Sequence, residues 1–215
     1  MYTADKDNQE GKHMIITVSR QFGSGGREIA KRLSDELGIK YYDKEILAAI
    51  AKESSLDRDY VERTLEASIS AYPATISHSF AMLPYFSAGA AQLHAMQCKV
   101  IKELAQKDDC IIVGRAADSI LADMHPFRMF VYADMQSKVE RCRSRASDDE
   151  HMSDKELIKM IKKIDKSRAE NHDLVSSSGW GDMTSYDLCI NTSRISIKEI
   201  TPLLAEYIKA YFSAN

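Results

Sequence analysis

Met14-Ile-Ile-Thr-Val-Ser19 is a short, β-branched apolar run of the kind that forms a buried strand. It leads straight into Ser19-Arg-Gln-Phe-Gly-Ser-Gly-Gly-Arg-Glu28. Beyond Gly26 the apolar period becomes helical, with Ile29, Ala30, Leu33 and Leu37 on one face and Gly38 as the C-cap. This order of strand, glycine turn and helix constrains the chain more than any other feature. Gly23, Gly25 and Gly26 let the backbone approach a ligand and turn N–H groups inward, with Ser24 between them. The helix N-terminus adds partial positive charge, so the turn suits a phosphate. A plain turn without ligand is the alternative; its place after the first buried strand favours phosphate.

The turn departs from the phosphate-loop pattern G-x-x-x-x-G-K-[ST]. With the helix register fixed through Leu33, Gly25 takes the second glycine position and Arg20 the first. Gly26 stands where the lysine belongs, and Arg27 where Ser or Thr holds Mg²⁺. Displaced by one residue, Arg27 is the candidate cation for the β/γ-phosphates, since guanidinium binds phosphate in bidentate fashion.

The rest of the chain alternates strands and helices. Ile39–Tyr42 reads as a second strand, and Asp43 as the N-cap of a helix carrying Ile46, Leu47 and Ile50. Residues 57–68 predict a helix with Tyr60, Val61 and Leu65 inward. Residues 70–90 contain Pro73, Pro84 and Gly89 without clear period and read as a loop or partial helix; 91–106 are helical again. Cys110–Gly114 predicts a central strand followed by a helix from about Ala116. Arg128–Tyr132 is another strand, with Asp134 capping the next helix. Ser147–His151 is a polar loop, and Ser153-x-x-Glu156 a capping box opening a long helix. Tyr186–Ile190 is the last strand. Ser196-x-x-Glu199 opens the C-terminal helix, unless Pro202 moves its start to Thr201. Five short apolar strands between helices predict an α/β fold with a mostly parallel sheet covered on both faces. Ligands of such sheets bind at the carboxyl ends of the strands, here the turns after residues 19, 42, 114, 132 and 190.

Composition removes several classes. With 44% hydrophobic residues among 215, the chain can bury the core of one α/β domain with a small lobe attached. A net charge of -3 gives no basic surface for a nucleic acid polymer or an anionic membrane. No apolar stretch of about 18 residues predicts a membrane span. Cys98, Cys110, Cys142 and Cys189 form no C-x-x-C pair, which fits free thiols in a reducing compartment, the cytoplasm. Neither these nor the six histidines have metal-ligand spacing, so no residue is assigned to a metal. The polar residues 1–13 lack an apolar segment and read as a flexible tail before a single domain spanning 14–215.

Several charged residues have two readings each. Arg115 follows a buried strand at the ligand edge; it binds an anion there, or pairs with Asp118 on the surface. Arg141 and Arg145 share a helix face with Arg143 nearby, and either reach donor phosphates or complement a helix dipole. Asp165 and Arg168, at i and i+3, form either a recognition fork or a simple surface pair. Trp180 between two glycines reads as a packing anchor, and the aromatics at 72–86 as core or as the contact of a homodimer.

Ile16–Ala30, Leu37–Glu45, Ile111–Asp118, Asp165–Asn171 and Gly179–Ser193 together resemble the cytidylate kinase-like family, relatives of the nucleoside monophosphate kinases. The resemblance runs from about residue 14 to the C-terminus. It implies a P-loop kinase fold with a five-stranded parallel sheet, a helical acceptor lobe at 45–106 and a lid at 143–153. It implies phosphoryl transfer from ATP with Mg²⁺ to a nucleoside monophosphate, CMP or dCMP favoured. Arg115 and Arg168 would bind the acceptor phosphate, Asp165 the base, and Asp43 would order Mg²⁺ or its waters. Arg27, Arg115 and Arg168 would serve catalysis. The phosphate-loop lysine is absent, and Ala116 replaces the Asp of the family's Gly-Arg-Asp. A non-catalytic nucleotide-binding protein and a kinase of another small-molecule acceptor therefore stand beside the first reading.

Overall fold

A computed structural model describes residues 13–66, 83–145 and 152–214. Five strands, β1 (Ile15–Arg20), β2 (Lys40–Tyr42), β3 (Cys110–Val113), β4 (Phe127–Tyr132) and β5 (Leu188–Asn191), form one sheet in the order β2-β3-β1-β4-β5. Every neighbouring pair is parallel, and β1 lies at the centre, with Ile16 opposite both Ile111 and Phe127.

Strand alternation divides the interior into two cores. Ile16, Val18, Ile111 and Val113 face one side, where they meet Ile29 and Leu33 of α1 (Gly26–Leu37) and Leu204 and Ile208 of α8 (Ile197–Ala214). Ile15, Cys110 and Ile112 face the other. There they meet α2 (Lys44–Ser54), α3 (Arg58–Glu66), α4 (Leu83–Lys107) and the short α5 (Ala117–Ile120), through Ile46, Ile50, Val61 and Ile101. The period of two sends neighbouring residues to opposite helical layers, which makes each strand read as an unbroken apolar run. A third cluster, Val139, Leu157 and Ile161, joins α6 (Met135–Arg143) to α7 (Asp154–Asp173), with Phe22 of the glycine turn against it.

Several of the expected elements are shifted, and of the two starts open for the C-terminal helix the one at Ser196 holds. Helix α4 starts at Leu83, so residues 83–90 are helical; Pro84 falls in the first turn, where a missing N–H costs nothing. Tyr60 is 48% exposed, while Val61 and Leu65 are buried as expected. Helix α8 begins at Ile197 and runs through Pro202, and Thr201 Oγ1 donates to Ile197 O at 2.7 Å. Burial of Thr201, Leu204, Ala205 and Ile208 on that helix outweighs one lost backbone bond. Asp43 precedes α2 but makes no side-chain capping bond. By contrast, the capping box at Ser153 and Glu156 and the cap by Asp134 form as read. The proposed tail (except His13), the loop at 70–82 and the polar loop 147–151 lie outside the described residues. Among those described, no helix is long and apolar enough to cross a membrane.

Two buried charge pairs tie α7 to the sheet edge. Lys138 of α6 donates to Asp165 Oδ2 at 3.0 Å, and Phe22 N donates to Asp165 Oδ1 at 2.6 Å. The two side chains are 5% and 15% exposed, so each charge depends on the other. Further along, His172 Nε2 meets Asp118 Oδ2 at 2.9 Å, and Ser19 Oγ donates to Asp118 Oδ1 at 3.4 Å. Asp173 Oδ1, at 3.6 Å from His172 Nδ1, is too distant for a hydrogen bond and acts as a charge. Burial pulls the His172 pKa down, but the hydrogen bond and charge of Asp118 outweigh it, and the net shift is upward.

Lys138→Met, which strands the Asp165 carboxylate, is expected to lower unfolding stability by about 3 kcal/mol, read as a fall in the urea midpoint. A histidine pKa raised by folding stabilises the protein fully below the unfolded value of about 6.5 and loses that contribution as pH rises through the raised value. The unfolding midpoint should therefore drop across that interval, and His172→Gln should flatten the drop.

Candidate functional site

The turn after β1 is held from beneath and open above. Gln21 N donates to Val131 O at 2.9 Å, extending the pairing with β4. Gly23 and Gly25 are left-handed, at φ 74° and 83°. The first intrahelical bond of α1 runs from Ile29 N to Gly25 O, so the amides of Gly26, Arg27 and Glu28 have no partner within the helix. Gly25 provides no side-chain cap. Gly26 and Arg27, the first two residues of α1, line a cleft of about 1030 Å³ together with Gly23, Gly25, Arg141 and Arg145.

The glycines are required by protein contacts rather than by ligand approach. A Cβ on Gly23 would lie 3.0 Å from Lys138 O, one on Gly25 2.2 Å from Ile197 Cδ1, and one on Gly26 2.6 Å from Arg20 Cβ. Ser24 lies inside: its hydroxyl donates to Gln21 O at 2.8 Å, its carbonyl accepts from Thr192 Oγ1 at 2.7 Å, and it lines neither cleft. Arg141 spends its guanidinium on Gly23 O and Thr192 O, bracing the turn against the end of β5. Arg145 reaches Glu28 Oε2 of α1 at 2.6 Å, and Arg143 pairs with Asp154.

A second cleft, about 610 Å³, lies between the ends of β1 and β3 and helices α2, α3, α4 and α7. Arg20, Arg27, Asp43, Arg115 and Arg168 line it. Asp43 Oδ2 accepts Arg27 Nε at 2.7 Å, and Asp43 Oδ1 lies 3.8 Å from Arg20 Nη2. That explains the absent helix cap: two guanidinium groups outcompete a backbone amide for the carboxylate. Arg20 is 15% exposed, and its Nη1 occupies the space above Gly114, where a Cβ would sit 1.7 Å away. Burial and the charge of Arg168 push its pKa down to about 9 against the pull of Asp43, so it stays charged at neutral pH. Arg168 Nη1 donates to Arg20 O at 3.0 Å and its guanidinium lies over the Phe22 ring at 5.7 Å.

Gly114, Arg115 and Ala116 are all left-handed, at φ 72°, 62° and 52°. Such a run costs on the order of 1 kcal/mol for each residue bearing a side chain. It swings Arg115 from the end of β3 into the cleft and puts Ala117 N within 3.1 Å of Gly114 O.

The two clefts share Arg20, Phe22, Arg27, Met160 and Arg168. A ligand in each would meet at the guanidinium cluster, which suits charge neutralisation during transfer of an anionic group. Arg20 escaped the sequence reading because it was seen only as a missing glycine, although its place as the last residue of β1 was the available signal. Asp165 lines neither cleft, and its oxygens are taken by Lys138 and Phe22 N. Trp180 packs edge-on against Phe130 at 5.2 Å, and it also lines the second cleft. Among the described residues, no group of three or more His, Cys, Asp or Glu could hold a metal ion.

Comparison with known proteins agrees with this architecture. The model of the cytidylate kinase-like family matches residues 15–194. The cytidylate kinase of Methanopyrus kandleri strain AV19 is 23% identical over 201 residues, covering 89% of this chain and 91% of that protein. The crystal structure of an uncharacterised protein from Eubacterium ventriosum ATCC 27560 superposes with a TM-score of 0.67 at 27% identity, covering 92% and 99% of the two chains. Shikimate kinase from Bacteroides thetaiotaomicron shares the fold, with a TM-score of 0.55 at 15% identity over 91% and 98% of the chains. With five parallel strands in this order, a glycine turn opening the first helix and a family match across most of its length, the chain has a P-loop kinase fold and belongs to the cytidylate kinase-like family.

Proposed function

We propose that this protein is a kinase that moves the γ-phosphoryl group of ATP to a nucleoside monophosphate, with CMP or dCMP as the first candidates. The meeting of two clefts at Arg20, Arg27 and Arg168 carries the reading. The cleft over the α1 amides takes the donor phosphates, which the open N–H groups and the helix dipole suit. The cleft under α4 takes the acceptor, with Arg115 and Arg168 on its phosphate.

In the reaction an acceptor phosphate oxygen attacks the γ-phosphorus. A new P–O bond forms, the bond to the β-bridging oxygen breaks, and ADP leaves with that electron pair. The protein's part is to align both anions and offset the charge that builds on the transferred group. Arg20 stands at the junction and supplies the charge that the absent loop lysine would have given. Lys138 does not replace that lysine, because its ammonium is bound to Asp165 away from both clefts. Arg27 is 56% exposed at its side chain, so it can leave Asp43 for a phosphate. Mg²⁺, which keeps most of its waters and would be held chiefly by the nucleotide, would supply further positive charge to the phosphates. Asp43 would order its waters once Arg27 leaves that carboxylate.

A kinase of another small anionic acceptor is the second reading, favoured by the family's Asp-x-x-Arg aspartate lying outside the acceptor cleft. The variant protein that binds nucleotide without turning it over is the third.

An assay of ADP release across CMP, dCMP, UMP and AMP is expected to show turnover with the cytidine nucleotides; ATP binding by calorimetry without ADP release on any of them would leave the binding-protein reading. Arg20→Ala should reduce kcat by about 10²–10³-fold with little change in the unfolding midpoint, and a near wild-type rate would remove Arg20 from the transfer point. For Arg27→Ala a loss of at least tenfold is expected, expressed in both kcat and the KM for ATP.

A further inference from the structure

Leu93, Val100 and Ile101 of α4 are buried in the apolar core, and Gln97, among them, is only 5% exposed. Gln97 lines the cleft, and its Oε1 is buried without a hydrogen-bond partner. Protein interiors seldom retain an unpaired amide oxygen, because it has lost water and gained nothing. A leucine or methionine would suit the stripe better unless the oxygen meets a donor that arrives from outside.

The surroundings narrow what that donor is. His94, one turn earlier on α4, lines the same cleft. Burial and the charge of Arg115 lower its pKa, so it is neutral at pH 7. Asn171, on the facing helix α7, has its amide committed to Leu65 O at 3.2 Å. Two of the cleft's cations, Arg20 and Arg27, gather around Asp43. The cleft thus combines an arginine cluster with the neutral polar groups of His94, Gln97 and Asn171, and Glu62 and Lys163 also line it. Asp165, expected from sequence to read the base, is bound to Lys138 and Phe22 N and lines neither cleft.

We infer that Gln97 selects the acceptor, its Oε1 accepting a hydrogen bond from an uncharged N–H or O–H group on a part of the acceptor distinct from the anion held by the arginines. This rests on the reading of the second cleft as the acceptor site. Among nucleoside monophosphates it favours a base with an exocyclic amine, such as cytosine, over uracil, whose carbonyl would set oxygen against oxygen.

Calorimetric titration of CMP and UMP into wild type, Gln97→Leu and Gln97→Glu tests the inference. Wild type should bind CMP at least about tenfold more tightly than UMP, the ratio expected when a buried acceptor is either met or opposed. Gln97→Leu should lose that ratio by weakening CMP alone, and Gln97→Glu, which keeps an acceptor oxygen, should retain it. ATP binding should be unchanged in both variants. Gln97→Leu should also raise the unfolding midpoint of the free protein, the reverse of what a purely structural glutamine would show. A CMP:UMP ratio near one in wild type, an unchanged ratio in Gln97→Leu, or no CMP binding overturns the inference. Turnover of CMP together with an unchanged ratio sinks this inference and leaves the kinase. Gln97-dependent CMP binding without ADP release sinks the kinase and leaves this inference.

Discussion

Four arginines gather at the carboxyl end of a parallel sheet, and the carboxylate of Asp43 is what holds two of them there. Arg20 and Arg27 both face it, and Arg115 and Arg168 add charge from β3 and α7. Burial and the neighbouring Arg168 lower the pKa of the most buried of them, Arg20, to about 9. Like charges this close oppose one another, as that lowered pKa shows, and an anion between them would ease the repulsion. The left-handed turn at 114–116 likewise holds Arg115 in place against backbone preference.

Fixing the glycine turn is the work of the second layer of charges. Asp165 takes the Phe22 amide and is itself held by Lys138, while Arg141 bridges Gly23 O to Thr192 O. These bonds come from α6, α7 and the end of β5, so the turn is braced by segments remote in sequence. The result is preorganisation: the turn is held by bonds at Gln21 N, Phe22 N, Gly23 O and Ser24 O, while the first amides of α1 have no partner within the helix. Charged residues that a motif would assign to substrate are used here to hold backbone.

In the proposed reaction, acceptor choice would depend on a different part of the molecule. The helices α2, α3 and α4 close the second cleft from outside the sheet, and their apolar residues form a core with Ile15 and Ile112. Their inner surface can therefore vary without disturbing the glycine turn. A polar residue inside the Leu93–Ile101 stripe is legible once the face it occupies is known, and not before.

Much of the fold was legible in the residues in order. The apolar runs at 14–19, 110–114 and 128–132 could only be buried strands, and the switch of period at Gly26 marked the strand-to-helix turn. Those signals are local: they depend on periodicity, on glycine at positive φ and on capping chemistry. Likewise Arg27, Arg115 and Arg168 were identified by their places at strand ends or in motifs. Which charge meets which was decided only by the tertiary structure. Asp43 could cap a helix or pair with arginines, and Asp165 could read a base or brace a loop, with identical sequence neighbours in either case. Arg20 became a site residue, and Ser24, Arg141 and Arg145 acquired protein partners, through contacts across more than a hundred residues of chain. The energy of a buried charge depends on partners brought by the fold, and spacing along the chain carries no record of them.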